Sequence, residues 1–344
     1  MGKNSVIGCD FVTATIRDVA ILAGLSLGTV SKYINGGSVK EENKNKIEQA
    51  IEQLGFRQNY IAKGLRKAQT FTIGVLVPML SSSFSSRIIS AIEEYLLPFG
   101  YCVIVSECHD SPETEIRKTR FLLERMVDGI VMLPYSQNGF QVDILEDSGK
   151  PFIVIDQMIS SHKTDSVVLD NADATRIPTE RLIEYGHKEI AFLSGNPDLF
   201  TSQGRISGYK DALLKHGLPF NPAMLLNGNY SIEGAYRSVI NLYQEQLKPT
   251  ALVASNYEMS LGAILALNQL GKKIPEDISV IGFDNLPLSE ITSPPLSIMS
   301  QPMQDMGYDA ARILYQRIQG DYSTFPEVSV FNASLLNKKS VARI

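Results

Sequence analysis

The side chains best placed to do chemistry in this 344-residue sequence lie near its start. Thr15–Asn35 reads TIRDVAILAGLSLGTVSKYIN. Thr15 is an N-cap candidate, with Asp18 three residues on as the acidic partner of the first-turn amides. Ile16, Val19, Ala20 and Ala23 form one apolar stripe, and Gly24 follows where a helix needs a left-handed exit. Ser26 then caps a second helix whose inner face is Val30, Tyr33 and Ile34. Ala20 is small where the two helices cross, so the window meets the steric demands of a helix-turn-helix. The outer face of the second helix offers Ser26, Thr29, Ser31 and Lys32. Hydroxyls and an ammonium there can hold phosphates and base edges, whereas a generic helical hairpin needs no such face.

Catalytic signals are missing. The sequence holds no GxGxxG, GxxxxGK[ST] or HExxH, and its one GxSxG, GLSLG at Gly24–Gly28, falls in the turn between two predicted helices, not at the strand-to-helix elbow a nucleophilic serine needs. His109, His162, His187 and His216 are scattered, and Cys9, Cys102 and Cys108 form no CxxC pair. The expectation is a protein that is not an enzyme, with no cofactor and no metal.

Two kinds of element must position the polar face. Residues 15–67 contain three short helical segments, the third over Lys44–Leu54, then a basic stretch, Asn59–Lys67. From Phe71 onward, short continuous apolar runs alternate with amphipathic helical ones. The runs include Thr72–Val77, Gly129–Leu133, Phe152–Ile155, Ile190–Ser194, Ala251–Ala254 and Ser279–Phe283. Continuous apolar strands separated by helices predict an α/β body with doubly wound parallel sheets covered on both faces. About 270 residues is long for one such sheet, so two lobes are expected, roughly Phe71–Asp156 and Ser166–Ser293. A final segment after Pro294-Pro295 is expected to cross back to the first lobe. Ligands of such a body sit at the carboxyl ends of its strands.

Charge divides the same way. Residues 1–70 carry ten Lys or Arg and six Asp or Glu, a balance of +4, and the remainder carries −9. A basic head on an acidic body suits a nucleic-acid module joined to a domain of another kind. No run approaches the roughly 18 consecutive apolar residues of a membrane span. Met1–Thr15 has no apolar segment ending in a cleavage site, so a cytoplasmic protein is expected.

Beyond these patterns, the chain resembles the lactose-repressor/galactose-repressor family of bacterial transcription factors. The likeness rests on Thr15–Asn35, AIEQLGF at Ala50–Phe56 and IAKGLRK followed by TIGVLVP over Ile61–Pro78. It continues through RMVDGIVMLP (Arg125–Pro134), GHKEIAFLSG (Gly186–Gly195), GRISGY (Gly204–Tyr209), IPEDISVIGFDN (Ile274–Asn285) and SPPLSIMSQP (Ser293–Pro302).

The resemblance implies an organisation: a flexible extension over 1–14, a helix-turn-helix domain over 15–57, a hinge over 58–70, and a two-lobed effector-binding and dimerisation domain of periplasmic-binding-protein type over 71–344. It implies base contacts from Leu27, Gly28 and Lys32, and phosphate contacts from Ser26, Thr29, Ser31 and Asn35, with Arg17 also in the DNA-binding set. In the hinge it gives Leu65 the part of a minor-groove wedge, beside Ala62, Lys63 and Arg66. In the cleft it implies a small effector, in such proteins most often a sugar or nucleoside and here expected to be a sugar, flanked by Phe84 and Tyr230 and ringed by Asp156, Arg205, Asn256, Asp284 and Gln301. Three positions depart from the family pattern: Gly28, Gln58 where the hinge usually begins with proline, and Tyr257 where Asp usually follows Asn256; Gly64 lowers hinge-helix propensity. The implied protein is a homodimeric repressor of palindromic operator DNA, controlled by that effector. Control by a phosphorylated carrier protein stays open within the class. A sugar-binding transport component is the rival outside it, disfavoured by the basic head and the missing signal segment.

Overall fold

A computed structural model describes residues 14–56, 69–109, 111–135, 137–284 and 286–344. The chain divides into two compact units, Met1–Thr70 and Phe71–Ile344.

In the first unit, α1 (Ile16–Ala23), α2 (Leu27–Ile34) and α3 (Glu41–Leu54) pack around one small core. Val19, Val30 and Ile47 are fully buried there, joined by Ala20, Ala23 and Ala50. The local signals act as their chemistry requires. Asp18 accepts from the Thr15 amide and hydroxyl, both at 2.7 Å, while the Thr15 hydroxyl oxygen accepts from the Asp18 amide at 3.4 Å. Gly24 exits α1 with φ +64°. Helix α3 starts three residues before the expected Lys44. Glu41 and Glu42 stand in its first turn, where acidic side chains favour a helix N-terminus, and Lys46 pairs with Glu42 at 2.5 Å.

The second unit holds two six-stranded sheets. Its elements run β1 (Thr72–Val77), α4 (Ser83–Leu96), β2 (Cys102–Glu107), α5 (Pro112–Glu124), β3 (Gly129–Met132), α6 (Phe140–Ser148), β4 (Phe152–Ile155) and β5 (Ser166–Leu169). They continue with α7 (Asp173–Glu184), β6 (Ile190–Ser194), α8 (Phe200–Lys215), β7 (Leu225–Asn227), α9 (Ile232–Gln244), β8 (Ala251–Ala254), α10 (Tyr257–Gln269) and β9 (Ser279–Phe283). The last are α11 (Leu286–Ile291), β10 (Ser297–Ser300), α12 (Met303–Ile318), β11 (Val328–Phe331) and β12 (Ser334–Leu336). The first sheet is ordered β11-β5-β4-β3-β1-β2 and the second β12-β10-β9-β8-β6-β7. All pairs are parallel except β10 with β12. Each sheet is covered on both faces. Ile73, Val75 and Val131 face α4 and α12, while Leu76, Ile130 and Met132 face α5 and α6. That two-sided burial explains why the strands read as continuous apolar runs.

The lobe boundaries differ from expectation in two places. Ser166–Leu169 belongs to the first sheet, with Val154 opposite Ser166 and Ile155 opposite Val167. A buried pair secures it: Arg317 on α12 donates from Nε and Nη2 to Asp165 at 2.8 and 3.0 Å, and each side chain is 1% exposed. Ser297–Ser300 remains in the second sheet beside β9, so the chain crosses back after Ser300 and not after Pro295. It crosses once more between β11 and β12. Three short segments therefore join the lobes, around 170–172, 301–302 and 332–333. Among the described residues, no helix is long and apolar enough to cross a membrane.

Candidate functional site

The first candidate surface lies on α2. Val30 is fully buried and Tyr33 and Ile34 pack on the core. This turns positions 28, 32 and 35 to the opposite face, with 27 and 31 at its edge, as helical periodicity demands. Leu27 is 44% exposed, and Ser26, Gly28, Lys32 and Asn35 are exposed, with Thr29 and Ser31 half-buried. Ser26 caps the helix: its Oγ accepts from the Thr29 amide at 3.2 Å and lies 2.9 Å from the Thr29 hydroxyl. Asn35 Nδ2 donates to the Ser31 carbonyl at 2.8 Å. A Cβ on Gly28 would approach only the Ser26 hydroxyl, at 3.9 Å, so packing within this unit does not require glycine there. Arg17 is exposed on the first turn of α1. Ala62, Lys63, Leu65 and Arg66, together with Gln58 and Gly64, lie outside the described residues.

The second is a cavity of about 220 Å³ between the carboxyl ends of the two sheets. Phe84, Asp156, Arg205, Tyr230, Asn256, Asp284 and Gln301 all line it. Asp156 immediately follows β4, Asn256 follows β8, Asp284 immediately follows β9 and Gln301 immediately follows β10. Asp156 and Asp284 have φ of +67° and +58°, a left-handed conformation that Asp tolerates better than most residues. Tyr230 also adopts it, at +51°. Its hydroxyl lies 2.8 Å from Ser202 Oγ and 3.2 Å from Thr201 Oγ1. Its ring lies flat on Gly195, where a Cβ would fall 2.0 Å from the ring.

Arg205 is 4% exposed. Its Nε donates to Asn171 at 2.8 Å and its Nη1 to the Ser255 carbonyl at 2.5 Å. Its guanidinium stands 4.7 Å from the centre of the Phe283 ring. Burial pushes Asp284 up to about 7 and Asp156 up to about 6, with Arg205 opposing in both cases. Asp156 Oδ1 and Gln301 Oε1 are buried acceptors without a hydrogen-bond partner. Unpaired acceptors at the wall of a cavity are costly unless a ligand or water donates to them.

Asn256 is occupied differently. Its Oδ1 accepts from the Met259 amide at 2.8 Å, and its Nδ2 donates to Glu258 at 2.6 Å. It lines the cavity chiefly as the cap of α10.

Sequence reasoning missed Glu258, Gln157 and Thr201 on the cavity wall, and Asn171 behind Arg205. Contacts that place them join segments far apart in the chain, Glu258 with Ser83, Gln157 with Thr201 and Asn171 with Arg205, beyond any local pattern. His187, read from the sequence as a structural turn residue, is buried between Thr250 Oγ1 at 3.0 Å and the Ala342 carbonyl at 3.1 Å. His162 Nε2 is brought within 2.8 Å of Asp143 Oδ1, a contact away from the cavity that no spacing signalled.

A three-helix unit with a polar recognition face, followed in the chain by two parallel-sheet lobes around a polar cleft, defines a class: ligand-responsive DNA-binding regulators. Residues 15–59 match the profile of bacterial regulatory proteins of the lacI family. Residues 70–338 match that of periplasmic binding proteins and the sugar-binding domain of the LacI family. The chain belongs to the LacI family of bacterial transcription regulators. It is 34% identical over 305 residues to catabolite control protein A of Priestia megaterium, covering 88% of this chain and 92% of that one. It is 33% identical over 335 residues to the HTH-type transcriptional repressor PurR of Aliivibrio fischeri strain MJ11, covering 94% and 99%. Among solved structures, a Lac repressor dimer bound to operator and the anti-inducer ONPF superposes with a TM-score of 0.81 at 26% identity, covering 96% and 99%. A cellobiose complex of the transcriptional regulator CelR gives 0.74 at 27%, covering 95% and 99%. These relatives are regulators, not enzymes.

Proposed function

We propose that the protein is a cytoplasmic homodimeric repressor whose operator affinity is set by a small neutral polyhydroxy effector, a sugar, held between the two lobes. The observation that carries this reading is the convergence of Asp156, Arg205, Asp284 and Gln301 on one cavity with two unpaired buried acceptors. Hydroxyl groups are the donors those acceptors lack, and Phe84 and Tyr230 offer apolar faces to a ring. A cavity of about 220 Å³ between the strand ends has room for a small molecule. The polar lining of this cavity supports a small effector as the controlling partner, with the phosphorylated carrier protein as the alternative.

In this reading Leu27, Gly28 and Lys32 meet base edges. Ser26, Thr29, Ser31, Asn35 and Arg17 meet the backbone. The hinge roles of Ala62, Lys63, Leu65 and Arg66 rest on the family resemblance. Binding to both lobes favours the closed body, and the coupling to DNA equals the difference in effector affinity between the two states. The test is a calorimetric screen of unphosphorylated sugars and nucleosides against the full chain, followed by operator titration with any ligand found. Failure of every small molecule, alongside operator release by a phosphorylated carrier protein, would overturn the small-effector reading.

A further inference from the structure

Helix α4 begins at Ser83 without an acidic residue in its first turn, and its N-cap, Ser82, makes no capping bond with its own side chain. Four backbone amides at a helix start need partners, and that end carries roughly half a positive charge. The missing partner comes from the other lobe. Glu258, in the first turn of α10, accepts from the Ser83 amide at 3.4 Å and from the Ser82 hydroxyl. Its second oxygen accepts from Asn256 Nδ2 at 2.6 Å. One carboxylate thus faces two helix N-termini, its own and that of α4, which approach each other across the cleft. Without the negative charge those two ends would repel. The same turn of α4 carries Phe84, which lines the cavity beside Glu258.

We infer that Glu258 is a positioning residue that caps α4 from the opposite lobe and holds the cleft closed before any effector arrives. The carboxylate stands in for an anionic or hydroxyl oxygen of a ligand at the α4 amides. Effector binding then works on a body already biased toward closure, and Glu258 sets that bias. This deepens the effector reading by assigning its regulation, but the closure itself requires no ligand.

The test uses the ligand-free full chain. Hydrogen exchange of the first α4 turn and the spacing of a spin-label pair, one label on each lobe, are compared in wild type, Glu258→Ala and Glu258→Gln. Ser83→Pro is the complementary variant: it deletes the amide donor while suiting the first helical position. We expect at least tenfold faster exchange confined to the start of α4 and a longer inter-lobe distance in Glu258→Ala. Glu258→Gln, which keeps an acceptor but no charge, should fall between. Combining Ser83→Pro with Glu258→Ala should add less than the sum of the two, because both remove one contact. A merely structural Glu258 would raise exchange throughout the second lobe and leave the distance distribution alone, which would overturn the inference. So would unchanged exchange and distance in both Glu258 variants. Because no effector enters the measurement, a wrong effector assignment leaves these outcomes intact.

Discussion

Gln301 and Asp284 form one polar unit at the edge of the cleft. Gln301 Nε2 donates to Asp284 Oδ2 at 2.9 Å, and the Gln301 amide donates to Oδ1 at 3.4 Å. Asp284 immediately follows β9, whereas Gln301 sits where the chain leaves β10 for the first lobe. The contact ties a cavity carboxylate to one of the three segments about which the lobes would turn.

Arg205 and Asp284 should therefore behave differently when changed. Asp284→Asn keeps the shape and should lose the effector response while ligand-free operator binding stays within a few-fold. Arg205→Ala should lose the response too, but it strands Asn171 and the Ser255 carbonyl. It should also cost about 1–3 kcal/mol of stability for each buried group left unpaired. Operator titration with and without effector, beside urea unfolding, separates the two. A normal effector response in Asp284→Asn would remove that residue from the site.

The same carboxylates predict a pH dependence. In the folded chain Asp284 titrates near 7 and Asp156 near 6, against an ordinary value of 3.8. The folded state thus binds protons that the unfolded state releases. Their contribution is full below about pH 4 and is lost as pH rises through 6 and 7. At 1.36 kcal/mol per unit, the ligand-free chain should lose on the order of a few kcal/mol across that window. Asp284→Asn should flatten the slope, and denaturant midpoints at pH 5 and 8 would reveal an unchanged one.

Gly195 has a single visible reason to be glycine, the Tyr230 ring against it. Gly195→Ala should displace the ring, break the Tyr230 bonds to Thr201 and Ser202, and weaken effector binding at least tenfold. Operator affinity without effector should hold. Calorimetry with the ligand found in the screen decides it.

On the DNA side, Lys32→Ala should weaken operator binding by about 1–3 kcal/mol and relax specificity at one base pair. Arg17→Ala, a backbone contact in the proposed reading, should weaken all sequences alike and reduce the salt slope by about one. Equal losses for Lys32→Ala on operator and random DNA would deny it base reading.

The Asp165–Arg317 pair makes a prediction about stability. Asp165→Ala leaves the buried Arg317 guanidinium with only Glu327, at 3.7 Å, as a carboxylate neighbour and frees the Glu327 amide, which donates to Asp165 at 2.7 Å. The expected cost is about 3–5 kcal/mol. Asp165→Asn should recover part of it, and a loss below about 1 kcal/mol would show that water replaces the carboxylate.

The helix-turn-helix could be read from residues because its determinants are local. The Thr15–Asp18 box, the left-handed Gly24 and the Ser26 cap all act within three or four residues of their partners. The strands were legible for a related reason, since burial on both faces writes itself into a run such as TIGVLV. Membership of a lobe was another matter. SVVL at 166–169 has the same local character in either sheet, and only the backbone of β4 and the distant Arg317 decide where it pairs. Glu258 reads in the sequence as an ordinary first-turn acid of α10. Its second role exists because folding brings Ser83, 175 residues earlier in the chain, within hydrogen-bond distance. Local propensity records what neighbours in the chain can satisfy. The cleft is built from groups whose partners are distant in sequence, and its charge balance arises only when both lobes exclude water from the same carboxylates.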